Sequence, residues 1–185
     1  SQMSAIEQRV VYQLKKEGIN YSGCLYGGFM LTKDGPKVLE SNARFGDPET
    51  QVVLPRLEGD LVSILMACDN STLHHQQVAW SDSVTVSVVL ASAGYPGSYE
   101  KGKEITGIEA AQQLEGVSVY HAGTAQTEDG KIITAGGRVL NVTALAPTFE
   151  EARARAYEAF DLINFEGKQF RHDIGLKALQ SRPEK

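Results

Sequence analysis

The chain has little cysteine, no excess of positive charge and no long apolar run. Two cysteines among 185 residues, Cys24 and Cys68, are too few for a disulfide framework, so free thiols in a reducing cytosol are the expected state. The 18 Lys and Arg against 23 Asp and Glu leave a net charge of −5, which argues against non-specific binding to nucleic acid or to an anionic membrane. No apolar stretch approaches the roughly 18 residues of a membrane span, and no secretory signal pattern opens the chain. The expectation is a cytoplasmic protein with neither nucleic acid nor membrane as partner. There is no internal repeat and no low-complexity tract. A chain of 185 residues suits one or two small domains and can bury a sizeable core.

Hydrophobic periodicity divides the chain. Ile6, Val10, Val11 and Leu14 form an apolar helical stripe over Met3 to Lys16, stopped by Glu17-Gly18. Leu25 to Thr32 and Lys37 to Arg44 read as strands of a hairpin across Lys33-Asp34-Gly35-Pro36. Asp47 is a good N-cap and Pro48 suits a first helical position, so a helix is expected from Asp47 to Asp69, broken or kinked at Pro55. Residues 71–83 are polar, lack periodicity and carry His74-His75, as a linker would. Beyond them Val84, Val86, Val88 and Leu90 alternate as a strand, and Ile108 to Leu114 reads as a short helix. Val117 to Thr124, Lys131 to Ala135 and Arg138 to Ala144 read as further strands, and Thr148-Phe149-Glu150-Glu151 is a capping box opening a helix to about Ile163. This pattern is α+β with a mainly antiparallel sheet.

The most informative stretch is Lys37 to Gln51. Side chains alternate along a strand, so Glu40, Asn42 and Arg44 would share one face. A carboxylate and an amide oxygen two residues apart can converge on a hard cation that prefers oxygen ligands, and a guanidinium beside them suits polyphosphate. The alternative is an ordinary solvated face of an antiparallel sheet. Among other candidates, His74-His75 lacks a second pair of metal ligands and reads as solvated loop, and Cys24 reads as a small hydrophobe on a strand. His121 reads either as a hydrogen-bonded structural residue or as a ligand-facing one. Arg138 follows Gly136-Gly137, whose missing side chains would let a phosphate approach the backbone; the alternative is an exposed surface arginine.

The segments Leu25 to Pro55 (LYGGFMLTKDGPKVLESNARFGDPETQVVLP), Val88 to Gly107, Val119 to Ala125, Gly136 to Ala144 and Phe170 to Gly175 (FRHDIG) resemble the phosphoribosylamine–glycine ligase family of the ATP-grasp superfamily. The resemblance covers nearly the whole chain from about Gly18, and RFGDPETQ is its most specific part. It implies the carboxy-terminal part of an ATP-grasp domain over residues 1–70, a linker over 71–83, and the ligase's carboxy-terminal domain, a small mainly antiparallel sheet with flanking helices, over 84–185. The expected partners are ATP, glycine, 5-phosphoribosylamine and the amino-terminal part of the same ligase; fusion to later purine-pathway enzymes, as in eukaryotic members, is left open by these residues. Glu40 and Asn42 would hold Mg²⁺ or Mn²⁺, and Arg44 would stabilise the transferring phosphoryl group. Asp47 and Glu49 would receive the ammonium of glycine, and Arg138, with His121, the phosphorylated substrate. The strand before Glu-x-Asn carries no acidic residue, which leaves the number of metal ions open. The rival readings are another ATP-grasp carboxylate–amine ligase and a non-catalytic binding module.

Overall fold

A computed structural model describes residues 1–180 and divides them into two compact units, residues 1–47 with 58–79 and residues 48–57 with 80 onward. In the first, α1 (Gln2–Lys16) leads to a hairpin of β1 (Tyr26–Thr32) and β2 (Gly35–Asn42). The hairpin turns at Lys33-Asp34, with the Thr32 hydroxyl donating to the Gly35 carbonyl at 2.7 Å. This fits the sequence expectation, since Asp-Gly punctuates the turn.

The break expected at Pro55 is present and the later helix ends at Asp69 as expected, but the start of the segment departs from expectation. Residues 47–49 form a turn, and the helix α2 covers only Thr50–Val53, with Glu49 at its N-cap position and no side-chain cap bond. A 3₁₀ turn at Leu54–Arg56 follows, then the short strand β3 (Leu57–Glu58). Pro55 has no N–H to give to a helical ladder, so it sits in the first 3₁₀ positions and ends the helix within a turn. The capped helix starts later: Asp60 accepts from the N–H groups of Val62 and Ser63 at 3.0 and 3.2 Å and opens α3 (Leu61–Asp69). A 3₁₀ turn at Leu73–His75 and the strand β4 (Ala79–Trp80) lie within the stretch that reads as linker.

The second unit is built on a four-stranded antiparallel sheet of order β10-β5-β9-β6, with β5 at Val84–Ser92, β6 at Val117–His121, β9 at Arg138–Ala146 and β10 at Lys168–Gln169. Between them come α4 (Ile108–Gln112) and the small hairpin of β7 (Thr124–Gln126) and β8 (Ile132–Thr134). Val86, Val88 and Leu90 of β5 and Leu140, Val142 and Ala144 of β9 share the face that meets α5 (Phe149–Leu162). Ala152, Ala156 and Ala159 are fully buried at helical spacing, and their small size lets α5 lie close on the sheet beside Phe160. Thr148 caps α5 as expected, accepting from the Glu151 N–H at 3.2 Å. A last short helix, α6, covers Leu176–Gln180.

Lys168 closes the other end of α5. Its ammonium donates to the carbonyls of Ile163 at 2.6 Å and Phe160 at 3.3 Å and lies 4.0 Å from the Phe160 ring centre. Burial pushes its pKa down, offset by the charge of Asp161. Lys168→Met keeps the stem but strands two partly buried carbonyls, so a loss of about 1–3 kcal/mol is expected by urea denaturation with unchanged slope. An unmoved midpoint would show that water replaces the ammonium at no cost.

Candidate functional site

In the first unit the hairpin register sets Gly28 opposite Glu40 and Tyr26 opposite Asn42. Glu40 and Asn42 lie on one face, with the Asn42 amide nitrogen donating to Glu40 Oε1 at 3.1 Å. The two tips therefore meet. A half-turn of the Asn42 amide presents its oxygen beside that of Glu40, giving the two hard donors that Mg²⁺ or Mn²⁺ takes when substrate phosphates and water complete its shell. No group of three or more His, Cys, Asp or Glu suited to a metal occurs among the described residues. The donor set fits a metal shared with a polyphosphate better than a closed all-protein cage. Gly28 leaves space for Glu40: a Cβ there would stand 3.0 Å from Glu40 Cγ. This is a local reason for a small residue on the strand that carries no acidic ligand.

Arg44 does not share that strand face, because β2 ends at Asn42; its Nη1 donates to the Phe45 carbonyl at 2.7 Å. Asp47 lies in the turn and is exposed, and it is not the N-cap of α2. Glu49 is half-buried at the head of α2. Cys24 precedes β1 rather than lying on it.

In the second unit Arg138 begins β9 and lines a cavity of about 490 Å³ with Tyr95, Gln169, Phe170 and Arg171, floored by Ser87, Val89 and Ala91 of β5. Two guanidiniums on one apolar-floored cavity suit an anion carried on a larger body. Arg171 binds Asp173 through two bonds of 2.9 and 2.7 Å, and the guanidinium holds the Asp173 carboxyl below the usual range. Its backbone is fixed from α5: the Tyr157 hydroxyl donates to the Arg171 carbonyl at 2.6 Å, and Arg153 donates to the carbonyls of His172 and Ile174 at 2.7 and 2.9 Å. Gln169 holds the opposite wall, donating to the Tyr95 carbonyl at 2.7 Å and accepting from the Gly94 N–H at 3.3 Å.

Two expectations change here. The room left by Gly136 and Gly137 is filled by protein: a Cβ on Gly137 would overlap the Tyr95 ring, and one on Gly136 would stand 2.9 Å from Gly123 Cα. These glycines serve close packing and do not admit a phosphate. His121 is not among the residues lining the Arg138 cavity; it ends β6, exposed, with Nδ1 2.9 Å from the Thr124 hydroxyl. Arg171 and Gln169 have no role assigned from sequence, while Tyr95 lies in a Gly-Tyr-Pro-Gly stretch that reads equally as a turn or a substrate loop. The segments Phe170 to Gly175 and Val88 to Gly107 flag their neighbourhoods, but only the fold brings them to Arg138.

Residues 1–50 match the phosphoribosylglycinamide synthetase ATP-grasp (A) domain, so the hairpin with its oxygen-donor pair belongs to an ATP-grasp protein. Residues 85–177 match the phosphoribosylglycinamide synthetase C domain. The chain belongs to the phosphoribosylglycinamide synthetase family, also called phosphoribosylamine–glycine ligase. It is 53% identical over 165 residues to the phosphoribosylamine–glycine ligase of Caldanaerobacter subterraneus subsp. tengcongensis, covering 89% of this chain and 39% of that protein. It is 51% identical over 173 residues to the trifunctional purine biosynthetic protein adenosine-3 of Gallus gallus, covering 93% of this chain and 17% of that one. The crystal structure of phosphoribosylamine–glycine ligase from Thermotoga maritima superposes with a TM-score of 0.77 at 38% identity, over 93% of this chain and 42% of that chain. The chain thus spans about two fifths of the length of the bacterial ligases it matches.

Proposed function

We propose that a ligase carrying these residues joins glycine to 5-phosphoribosylamine, giving glycinamide ribonucleotide, ADP and phosphate in de novo purine biosynthesis. The observation that supports this most is the meeting of Glu40 and Asn42 on one strand face inside the stretch that matches the ATP-grasp domain. Glycine's carboxylate oxygen attacks the γ-phosphorus of ATP, the bond to ADP breaks, and glycyl phosphate forms. The amine of 5-phosphoribosylamine then attacks the acyl carbon, loses a proton and expels phosphate.

Glu40 and Asn42 would hold the Mg²⁺ or Mn²⁺ that neutralises polyphosphate charge during in-line transfer. Arg44 stabilises charge on the transferring group, although its strand placement no longer argues for that role. Asp47 and Glu49 supply carboxylates of the sign that glycine's ammonium requires. Arg138, now joined by Arg171, receives the 5-phosphate; His121 is retained only as a residue near the end of the same sheet, with its Thr124 partner. The domain reading over 1–70, 71–83 and 84–185 belongs to this proposal. So does a cytoplasmic location, to which the structure adds that no described helix is long and apolar enough to cross a membrane. Partners are ATP, glycine, 5-phosphoribosylamine and the amino-terminal part of the same ligase, and the trifunctional relative supports fusion to other purine-pathway enzymes.

The test is a steady-state assay of a full-length ligase with Arg138→Ala. Losing a charged hydrogen bond of about 1.5–3 kcal/mol should raise KM for 5-phosphoribosylamine roughly 10- to 100-fold and leave KM for ATP within about twofold. Equal effects on both substrates would remove Arg138 from the phosphate.

A further inference from the structure

The two cysteines, 44 positions apart in sequence, line one cavity of about 510 Å³ in the first unit, with Phe45, Ile64, Leu65 and Leu73. Cys24 lies in the loop before β1 and Cys68 in the last turn of α3; both are half-buried. The loop is tied to that helix end. The Ser22 hydroxyl donates to the Cys68 carbonyl at 2.7 Å and lies 3.9 Å from Cys68 Sγ, while the Tyr21 hydroxyl donates to the Cys24 carbonyl at 2.6 Å. Burial pushes the Cys24 thiol up, and Cys68 adds to that rise.

We propose that Cys24 and Cys68 form a dithiol modification site that closes to an intramolecular disulfide when a low-molecular-weight disulfide such as oxidised glutathione is present. One cysteine, as thiolate, attacks a sulfur of the glutathione disulfide and displaces the first glutathione thiolate. The second cysteine loses its proton, attacks the mixed disulfide and expels the second glutathione. Two protein thiols are oxidised by two electrons, and one glutathione disulfide is reduced to two glutathiones. The reaction runs between neighbours because the fold already fixes the loop on the helix end, which raises the effective concentration of the second thiol over that of free glutathione. The product staples the entry to β1 onto α3.

The experiment equilibrates the folded protein with glutathione buffers of increasing oxidised fraction, quenches with acid and maps peptides by mass spectrometry. The expected result is a Cys24–Cys68 linked peptide, lighter by two hydrogens, forming at a reduced-to-oxidised glutathione ratio at least about tenfold more reducing than for the same protein unfolded in guanidinium. In Cys24→Ser the link is lost and Cys68 takes a glutathione adduct instead; Cys68→Ala should leave Cys24 unlinked in the same way. Separate glutathione adducts on both cysteines of the unmutated protein would overturn the proposal. So would two free thiols across the whole range, or a link formed equally well by the unfolded chain.

Discussion

Glu40→Gln should lower glycine-dependent ADP formation by a full-length ligase at least about a hundredfold, the usual scale for removing one preorganised electrostatic contact to a transferring group. The change keeps the size of the side chain and its capacity to accept from the Asn42 amide, the one hydrogen bond the pair makes to each other. It removes only charge. Glu40 is exposed, so the unfolding free energy should move by less than about 0.5 kcal/mol, and a large kinetic effect would not be a folding effect in disguise. Raising Mg²⁺ should recover part of the lost rate, because a weakened ligand shifts the metal requirement upward before it abolishes turnover. Gly28 supplies a second route to the same test: Gly28→Leu leaves the carboxylate intact but crowds Glu40 Cγ, and the ligase should again need more Mg²⁺. Near-normal turnover of Glu40→Gln at low Mg²⁺ would take the metal away from this strand.

What the sequence revealed, and what it concealed, follows from how local each signal is. The alternation of Val84, Val86, Val88 and Leu90 was legible because every second residue meets α5, and the Thr148 cap was legible because it is satisfied three residues on. The Glu40–Asn42 pair was legible for the same reason: two residues on one strand need no distant partner. Between Asp47 and Asp60 the break at Pro55 was legible, but not that the helix before it shrinks to Thr50–Val53 or that a new helix starts from a cap at Asp60. Arg44 was placed by extending strand alternation two residues past the point where β2 ends. Gly136 and Gly137 signalled close approach correctly but not of what; the answer, Gly123 and Tyr95, depends on strands and loops far apart in sequence. The same non-locality hid Arg171, which reaches the Arg138 cavity only because Tyr157 and Arg153 of α5 hold the turn at 171–174 in place.

Hydrogen exchange on the 185-residue chain should show two regimes. Amides of Val84–Ser92 and Arg138–Ala146 are expected to exchange at least about a thousandfold more slowly than those of Gln2–Lys16 and Tyr26–Thr32, a local opening difference on the order of 4 kcal/mol. The strands of the second unit carry Val88, Leu90, Leu140 and Val142 with no exposure at all and are paired on both sides where β9 runs between β5 and β6. In the first unit Ala67 is the only described hydrophobic residue counted as buried. Its hairpin instead exposes Leu31 at 71% and Leu39 at 64%, and α3 exposes Val62 at 62% and Met66 at 59%. A two-stranded hairpin with apolar side chains open to water gains little from burial and is marginal by itself. An oxygen-donor pair carried on so labile an element cannot keep two substrates in an attack geometry, so the chain alone should give no measurable glycine-dependent ADP formation. In a full-length ligase the protection of Tyr26–Thr32 should rise toward that of Val84–Ser92, as further protein covers the hairpin. Equal protection of both regions in the isolated chain, or turnover matching that of the full ligase, would show that the first unit is already a finished structure.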